Sequence, residues 1–393
     1  MMSPMLVSDL DLPAFDYSAP DLTGEVYHRR LAEVAEQGWL ATAPLSLVVL
    51  DRESGEFFLR SRATAFPGRQ IADIFGITEG PLRAHIDANV LNQNGEHHRR
   101  LRALVGPAFT PRAADRWRPV MRDLLKRLWT SATCAEFVEA FAKPYPSLTI
   151  AAVLGAPASD APRLHEWSTW VQKQFDVRAL GLELPRIERA VTEVNEYVEA
   201  LVERRRSDPS GDLVSALLAA DGLSHAECVD LVVNVLAGGV DTTQAQLSHA
   251  LRLFAAHPQQ WELLGADPGL VPQAVQEVLR YEPITPFTAR ICTEDLEHRG
   301  VTFPAGTIVA ICAERANRQP DVPFDITAER EPRLLTFGAG AHYCLGANLA
   351  RAELEEALTF LAPRMPGLAF DGDPVLGGVE GIYGIDALPL RWS

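Results

Sequence analysis

The stretch Leu334–Leu354 reads LLTFGAGAHYCLGANLARAEL and sets Gly338, Gly340 and Gly346 around a lone cysteine, Cys344. Glycine allows left-handed and close-approach backbone that a Cβ obstructs, so such a loop can lie against something flat. The apolar spacing Leu345, Leu349, Leu354, Leu358, Leu361 predicts a helix directly after the cysteine. The thiol then meets the positive end of a helix dipole, which favours the thiolate. A thiolate there serves as nucleophile, redox thiol or axial metal ligand, and an isolated cysteine in a turn is also often a plain buried side chain. A dinucleotide loop is excluded, because GxGxxG needs glycine where Tyr343 stands and no strongly strand-like run precedes Gly338.

The rest of the chain narrows the choice. Its 393 residues, 47% hydrophobic and 22% charged, can bury a large core, and length alone suggests two or three domains. A formal charge of -16 argues against a protein that coats nucleic acid, which needs a basic face. Cys134, Cys228, Cys292, Cys312 and Cys344 are scattered and form no CxxC pair, which disfavours a disulfide framework or a zinc site. The acidic N-terminus and the lack of a membrane-length apolar run predict no signal peptide, no membrane partner and a cytoplasmic setting. Helical spacing dominates around Leu124, around Ile150 and from Ile187 to Ala220. Strand-like runs are confined to segments near Val48, Phe58, Ile291 and Val309 and to the C-terminal ALPLRW, and prolines such as Pro272, Pro304 and Pro320 break the late chain. The fold class is therefore mainly α with a small β portion.

FGAGAHYCLG resembles the haem-ligand loop of the cytochrome P450 family, FGxGxHxCxG, at every defined position. The resemblance implies Cys344 as proximal ligand of a haem b (iron protoporphyrin IX) iron, His342 as a propionate partner, and Phe337 and Gly346 beside the cofactor. Three further segments follow in the family's order. In DLVVNVLAGGVDTTQAQLSHAL, two glycines mid-pattern each cost about 1 kcal/mol against alanine. Read alone the segment is a packed helix with a solvated acid, but it resembles the family's distal helix, making Asp241 and Thr242 the proton-delivery pair for O–O cleavage. A widened turn there would free the Thr242 hydroxyl from its backbone acceptor. VQEVLRYEP puts Glu277 and Arg280 three apart on one helix face, suited to a charge-assisted pair. It resembles the family's buried structural pair, whose usual third partner position is Pro323 here, leaving Arg318 as candidate. NGEHHRRLR sets His98 and Arg102 four apart, and the resemblance assigns both, with Arg290, to the propionates. Arg99 and Arg100 form a basic spot that can steer an acidic ferredoxin.

The resemblance spans nearly the whole chain and so implies one domain over residues 1–393: a triangular helical prism with haem between the distal helix and the cysteine-loop helix. It implies a haem-thiolate monooxygenase, expected to be a monomer, that activates O2 and hydroxylates a hydrophobic small molecule. Electrons are expected from a separate ferredoxin and NAD(P)H-dependent ferredoxin reductase, since a fused reductase would need several hundred additional residues. Peroxygenase, phenol-coupling and desaturating activities share the same haem, and a catalytically silent recruitment domain is the remote alternative. Pocket walls are expected from Phe75, Trp170, Val235, Gly238, Ile284, Phe287, Ile382 and Tyr383, and the charged stretch from Asp176 to Arg189 is expected to act as a lid.

Overall fold

The computed structural model describes residues 5–319, 322–330 and 333–393; Pro320 lies outside them. About 58% of the chain is helical. The largest apolar cluster is built by the helices Pro144–Leu154, Ala161–Gln172, Leu184–Ser207, His225–Gly239, Asp241–Ala256 and Ala347–Leu361. Pro144–Leu154 is buried on nearly every side, with the hydroxyls of Ser147 and Thr149 donating to the carbonyls of Lys143 and Tyr145. The apolar run from Ile187 to Ala220 divides in two. Asp208, Pro209 and Gly211 end the long helix, and Asp212 caps Leu213–Leu218 by accepting from the Ser215 N–H at 2.8 Å.

The β portion is peripheral. Its main sheet has five strands in the order Leu40–Thr42, Leu47–Val49, Ile308–Cys312, Phe287–Cys292, Thr64–Ala65. Phe287–Cys292 and Ile308–Cys312 run antiparallel, with Arg290 opposite Val309. The C-terminal run contributes Pro389–Arg391 to a second, three-stranded sheet. One strand expectation fails: the segment near Phe58 is the helix Arg52–Arg60. Asp51 caps it by accepting from the Ser54 N–H at 2.8 Å. Ser54, Gly55, Phe58 and Leu59 fall on its buried face, a helical spacing that the adjacent aromatics masked. No helix among the described residues is long and apolar enough to cross a membrane.

Glu277 and Arg280 are both almost fully buried and form a two-pronged pair at 2.7 and 2.8 Å. The third partner is Arg330, at 3.3 Å from each Glu277 oxygen. It follows Phe324 in sequence instead of preceding it. Arg318 goes elsewhere, pairing with Glu314 at 3.3 Å and donating to the Tyr281 carbonyl. The Asp325 N–H also donates to Glu277 Oε1, at 2.9 Å. The surrounding hydrogen bonds are what make a buried pair tolerable, since its desolvation otherwise exceeds its Coulomb gain.

A second buried network joins the helix Gly24–Ala35 to this region. His28 lies 3.0 Å from Glu314 and 3.5 Å from Glu282, while Arg252 reaches Glu282 at 2.6 Å. Burial by itself would depress the His28 pKa, but the hydrogen bond and charge of Glu314, with Glu282 behind, outweigh burial and the opposing Arg318, so it is raised from 6.5. A raised folded-state pKa adds stability below the unfolded value, and that gain disappears as pH climbs through the folded one. Chemical denaturation of wild type and His28→Gln at about pH 6 and about pH 9 should therefore show the larger wild-type advantage at the lower pH. An advantage that is constant or grows with pH contradicts the assignment.

Candidate functional site

The helix His225–Gly239 starts with a capping box between Ser224 and Glu227, and Asp241–Ala256 continues it after a break at Val240. The break is visible in the hydrogen bonds. The Ala237 carbonyl accepts from Ser168 Oγ and from Gln172 Nε2, each at 2.9 Å, while the Asp241 N–H that would have served it donates to Ser168 Oγ at 3.4 Å. The neighbouring helix Ala161–Gln172 thus satisfies both groups that the opened turn exposes. The two glycines have different reasons. A Cβ on Gly239 would meet Ile150 Cδ1 at 2.4 Å, whereas one on Gly238 would meet nothing within 4 Å, because Gly238 faces a cavity of about 450 Å³.

That cavity also receives Cys344. The Cys344 N–H donates to the Phe337 carbonyl at 2.9 Å, which closes the loop, and Gly338 and Gly340 have φ of 69° and 71°. Gly340 lies against the backbone of the helix Arg52–Arg60, where a Cβ would come within 2.7 Å of the Leu59 carbonyl oxygen. The cysteine helix begins at Ala347, with Gly346 as its cap. The thiol opens onto the cavity yet lies deep in the protein, and burial pushes its pKa up. The Gly346 and Ala347 N–H groups, Arg102 and Arg351 pull the other way without prevailing. The expected thiolate is thus not favoured by the protein alone: desolvation exceeds the helix terminus. Phe337 lies on the same wall, with the Arg351 guanidinium 4.7 Å from its ring.

Three separate segments carry cationic or N–H groups to this region. His98 and Arg102 come from the helix Gly95–Val105, Arg290 from the strand Phe287–Cys292, and His342 from the cysteine loop. The His98 and His342 rings are 4.3 Å apart. Arg102 donates to the Tyr343 carbonyl at 2.7 Å, and Arg290, only 3% exposed, donates to the adjacent Ala289 carbonyl at 2.8 Å. Among the described residues neither arginine has a carboxylate partner. Burial lowers the Arg290 pKa to about 10. Burial and then Arg290, His98 and Arg102 lower that of His342 to about 3, and its Nδ1 is buried without a partner. Buried guanidinium groups without anions are costly. The donor set is one that fits the two carboxylates of a haem, with Cys344 able to reach its iron.

Thr242 lines the cavity, and its hydroxyl donates to the Gly238 carbonyl at 2.7 Å. The expected release from a backbone acceptor is not seen: the turn opens one residue earlier, at Ala237. Asp241 turns instead toward the helix Ala161–Gln172, accepting from Thr169 Oγ1 at 3.3 Å. Burial raises its pKa against the opposing charges of His165, Lys173 and Lys143. His165 in turn lies 2.5 Å from Gln244 Oε1.

Of the expected walls, Val235, Gly238, Ile284, Phe287 and Ile382 line the cavity. Phe75, Trp170 and Tyr383 do not. Phe75 packs beside Gly181, Trp170 is covered by the Arg186 guanidinium at 3.8 Å, and Tyr383 is fully buried, where its hydroxyl accepts from the Gly24 N–H. The stretch from Asp176 to Arg189 is helical, comprising Val177–Leu182 and the start of Leu184–Ser207. Arg99 pairs with Glu96, and Arg100 with Glu227 and the Gly222 carbonyl, so neither is an unpaired cation. The sequence reading missed Tyr17, Phe66, Phe175 and Glu380 on the walls. The one available signal was Glu380, an acid inside the glycine-rich turn GGVEGIYG.

The family model described as Cytochrome P450 matches residues 48–264 and 269–361. The luteothin monooxygenase of Streptomyces thioluteus is 36% identical over 394 residues, covering 98% of this chain and 97% of its own. The mycinamicin IV hydroxylase/epoxidase of Micromonospora griseorubida is 34% identical over 323 residues, covering 78% of this chain and 77% of its own. Among solved structures, P450BioI in complex with a hexadec-9Z-enoic acid ligated acyl carrier protein superposes with a TM-score of 0.87 at 28% identity, over 93% of this chain and 98% of that one.

Arg290→Met removes a buried charge that lacks an anion. It should raise the thermal midpoint of haem-free protein while weakening haem retention about tenfold or more, as expected for loss of a charge-assisted bond of ~1.5–3 kcal/mol. Differential scanning fluorimetry and haem transfer to an apoglobin read the two effects, and a midpoint that falls argues against the uncompensated charge.

Proposed function

The chain belongs to the cytochrome P450 family and is a haem-dependent monooxygenase, and from that premise we propose that it oxidises a hydrophobic small molecule, drawing electrons from a separate ferredoxin and its NAD(P)H-dependent reductase. It works as a monomeric, one-domain cytoplasmic enzyme. The observation that carries this reading is the sharing of one mostly apolar cavity by Cys344, Arg102, Arg290, His342 and Thr242. The relatives' names, a monooxygenase and a hydroxylase/epoxidase, accord with oxygen insertion.

When bound, haem b supplies dioxygen activation and the oxidising power, and the chain supplies binding, orientation and protons. Cys344 would ligate the iron, whose charge favours the deprotonated sulfur that burial alone opposes. Arg102, Arg290, His98 and His342 would hold the propionates, the two guanidinium groups gaining the anions they lack and the imidazoles donating N–H groups. With its proton committed to the Gly238 carbonyl, the Thr242 hydroxyl offers the cavity its lone pairs, so it holds a donor in place instead of giving up a proton itself. Asp241, with its pKa raised by burial, can carry a proton inward from the His165 side and release it beside Thr242. The apolar walls keep stray water from the reacting atoms. Coupling and desaturation would use the same parts and differ only in how the substrate sits.

The ferrous carbon monoxide complex of the purified protein should show the red-shifted Soret band of thiolate ligation. Cys344→Ser should lose it, and a band that survives this substitution removes the basis of the reading. A compound screen for ligands that move the Soret band supplies substrates for the second test. With one of these, Asp241→Asn should turn over about 100-fold more slowly, the usual scale of general-acid assistance. Thr242→Ala should instead keep consuming NAD(P)H while diverting it to peroxide. Equal coupling of product to NAD(P)H in Thr242→Ala and wild type contradicts the role given to its hydroxyl.

A further inference from the structure

The turn between the strands Val375–Leu376 and Ile385–Ala387 folds onto the cavity, bringing Glu380, Gly381 and Ile382 to its wall. Glu380 is the anomaly there. One of its oxygens accepts from the Val177 N–H at 3.1 Å, and among the described residues the carboxyl has no ion pair. Its charged surroundings come from two other segments. Asp16 and Tyr17 approach from the N-terminal side, and Asp176 and Arg178 from the start of the helix Val177–Leu182. Lys173 answers Asp176 at 3.1 Å, and Ser18 answers Asp16. The Tyr17 hydroxyl sits 3.0 Å from Ser46 Oγ and so is engaged away from Glu380. Burial, with Asp176 and Asp16 adding to it and the Val177 N–H and Arg178 opposing, pushes the Glu380 carboxyl up to about 7.

Aromatic rings supply the rest of this end of the cavity. Tyr17 is stacked on Phe287 with centroids 4.5 Å apart, and Phe66 meets Phe175 edge-on at 5.8 Å. All four rings are on the cavity wall. A lone carboxylate among aromatic faces is a receptor for one chemistry: each ring face attracts a cation through its quadrupole, and the carboxylate supplies the opposite charge. An anionic substrate end would meet Glu380 and Asp16 as like charges, and a wholly apolar one would leave a desolvated carboxyl unanswered.

We propose that Glu380, together with Tyr17, Phe66 and Phe175, recognises a cationic nitrogen on the substrate, so that the enzyme acts on amine-bearing hydrophobic molecules. This rests on the reading of the cavity as the substrate site and specifies the substrate class. The ammonium is held at the C-terminal turn, and the apolar body of the molecule lies along the remaining walls toward Cys344.

Isothermal titration calorimetry of the holoprotein with decyltrimethylammonium, decanol and decanoate tests it. The quaternary ammonium neither ligates iron nor titrates. At about pH 8 it should bind about tenfold tighter than decanol, with decanoate the weakest of the three. Glu380→Gln should bring the ammonium within about twofold of decanol while leaving decanol unchanged. In wild type alone, the ammonium-to-decanol ratio should rise between about pH 6 and about pH 8 as Glu380 ionises, a measurement that does not depend on the variant folding. Decanoate binding as tightly as the ammonium, a ratio flat with pH, or a preference that persists in Glu380→Gln each overturns the proposal. Haem content and the carbon monoxide spectrum of the same preparation separate the two readings. Haem with thiolate ligation but no cation preference sinks this inference alone, whereas absent haem sinks the monooxygenase reading itself.

Discussion

Positive charge without an answering carboxylate governs the region around Cys344. Arg102 and Arg290 are buried or half-buried guanidinium groups whose acceptors among the described residues are backbone carbonyls, and His98 and His342 crowd against them. Each buried, unpaired ion costs several kcal/mol even after local relaxation. The protein sheds part of that cost by keeping His342 neutral, as its pKa near 3 requires. The remainder is available to an anion. Because the four groups come from a helix, a strand and a loop that meet only in the folded chain, such a ligand would also tie those segments together and add its binding free energy to stability.

The same economy appears in the distal helix. One opened turn frees the Ala237 carbonyl and the Asp241 N–H, and Ser168 bridges both from the neighbouring helix. Without that hydroxyl the Asp241 N–H would lose its partner, at a cost of about 1–3 kcal/mol, while the Ala237 carbonyl would keep Gln172 Nε2. The two chemical side chains, adjacent on the helix, point about 100° apart. Thr242 stays on the cavity face, while Asp241 turns toward Thr169 and His165. An acid that faced the cavity at this end would set a charge against the apolar body of the substrate. An acid one residue away that faces the neighbouring helix instead stays out of that lining.

Where spacing along one element decides the outcome, the sequence was legible. The cysteine loop, the pair Glu277–Arg280 and the face carrying His98 and Arg102 all depend on offsets of a few residues, and the helix or turn enforces them. Contacts made by returning chain were not legible. Arg330 reaches Glu277 because the backbone doubles back after Phe324, with the Pro323 carbonyl accepting from both Arg280 and Arg330. No offset from Phe324 points to that. Phe57 and Phe58 suggested a strand because paired aromatics favour one, yet the Asp51 cap and the buried positions Ser54, Phe58 and Leu59 impose a helix. Tyr383 and Glu380 illustrate the same limit within one turn. Three residues apart, one is sealed against Tyr27 and His249 and the other borders the cavity, a division set by packing partners hundreds of residues away.

The cavity is therefore electrically uneven. Its cationic region is built from Arg102 and Arg290, with the neutral His342 beside them, and an anionic cofactor edge would neutralise it. Once that is done, Glu380 is, among the described residues, the remaining carboxylic acid on the walls that neither a salt bridge nor the cofactor addresses, apart from Glu353, whose carboxyl is fully buried and held protonated by desolvation. In a medium this apolar, a single carboxylate acts over a longer range than it would in water, because little solvent screens it. A substrate placed by shape alone could slide or turn end over end between smooth apolar walls. One charge at one end removes that symmetry, so a residue in the C-terminal turn can decide which carbon faces the chemistry.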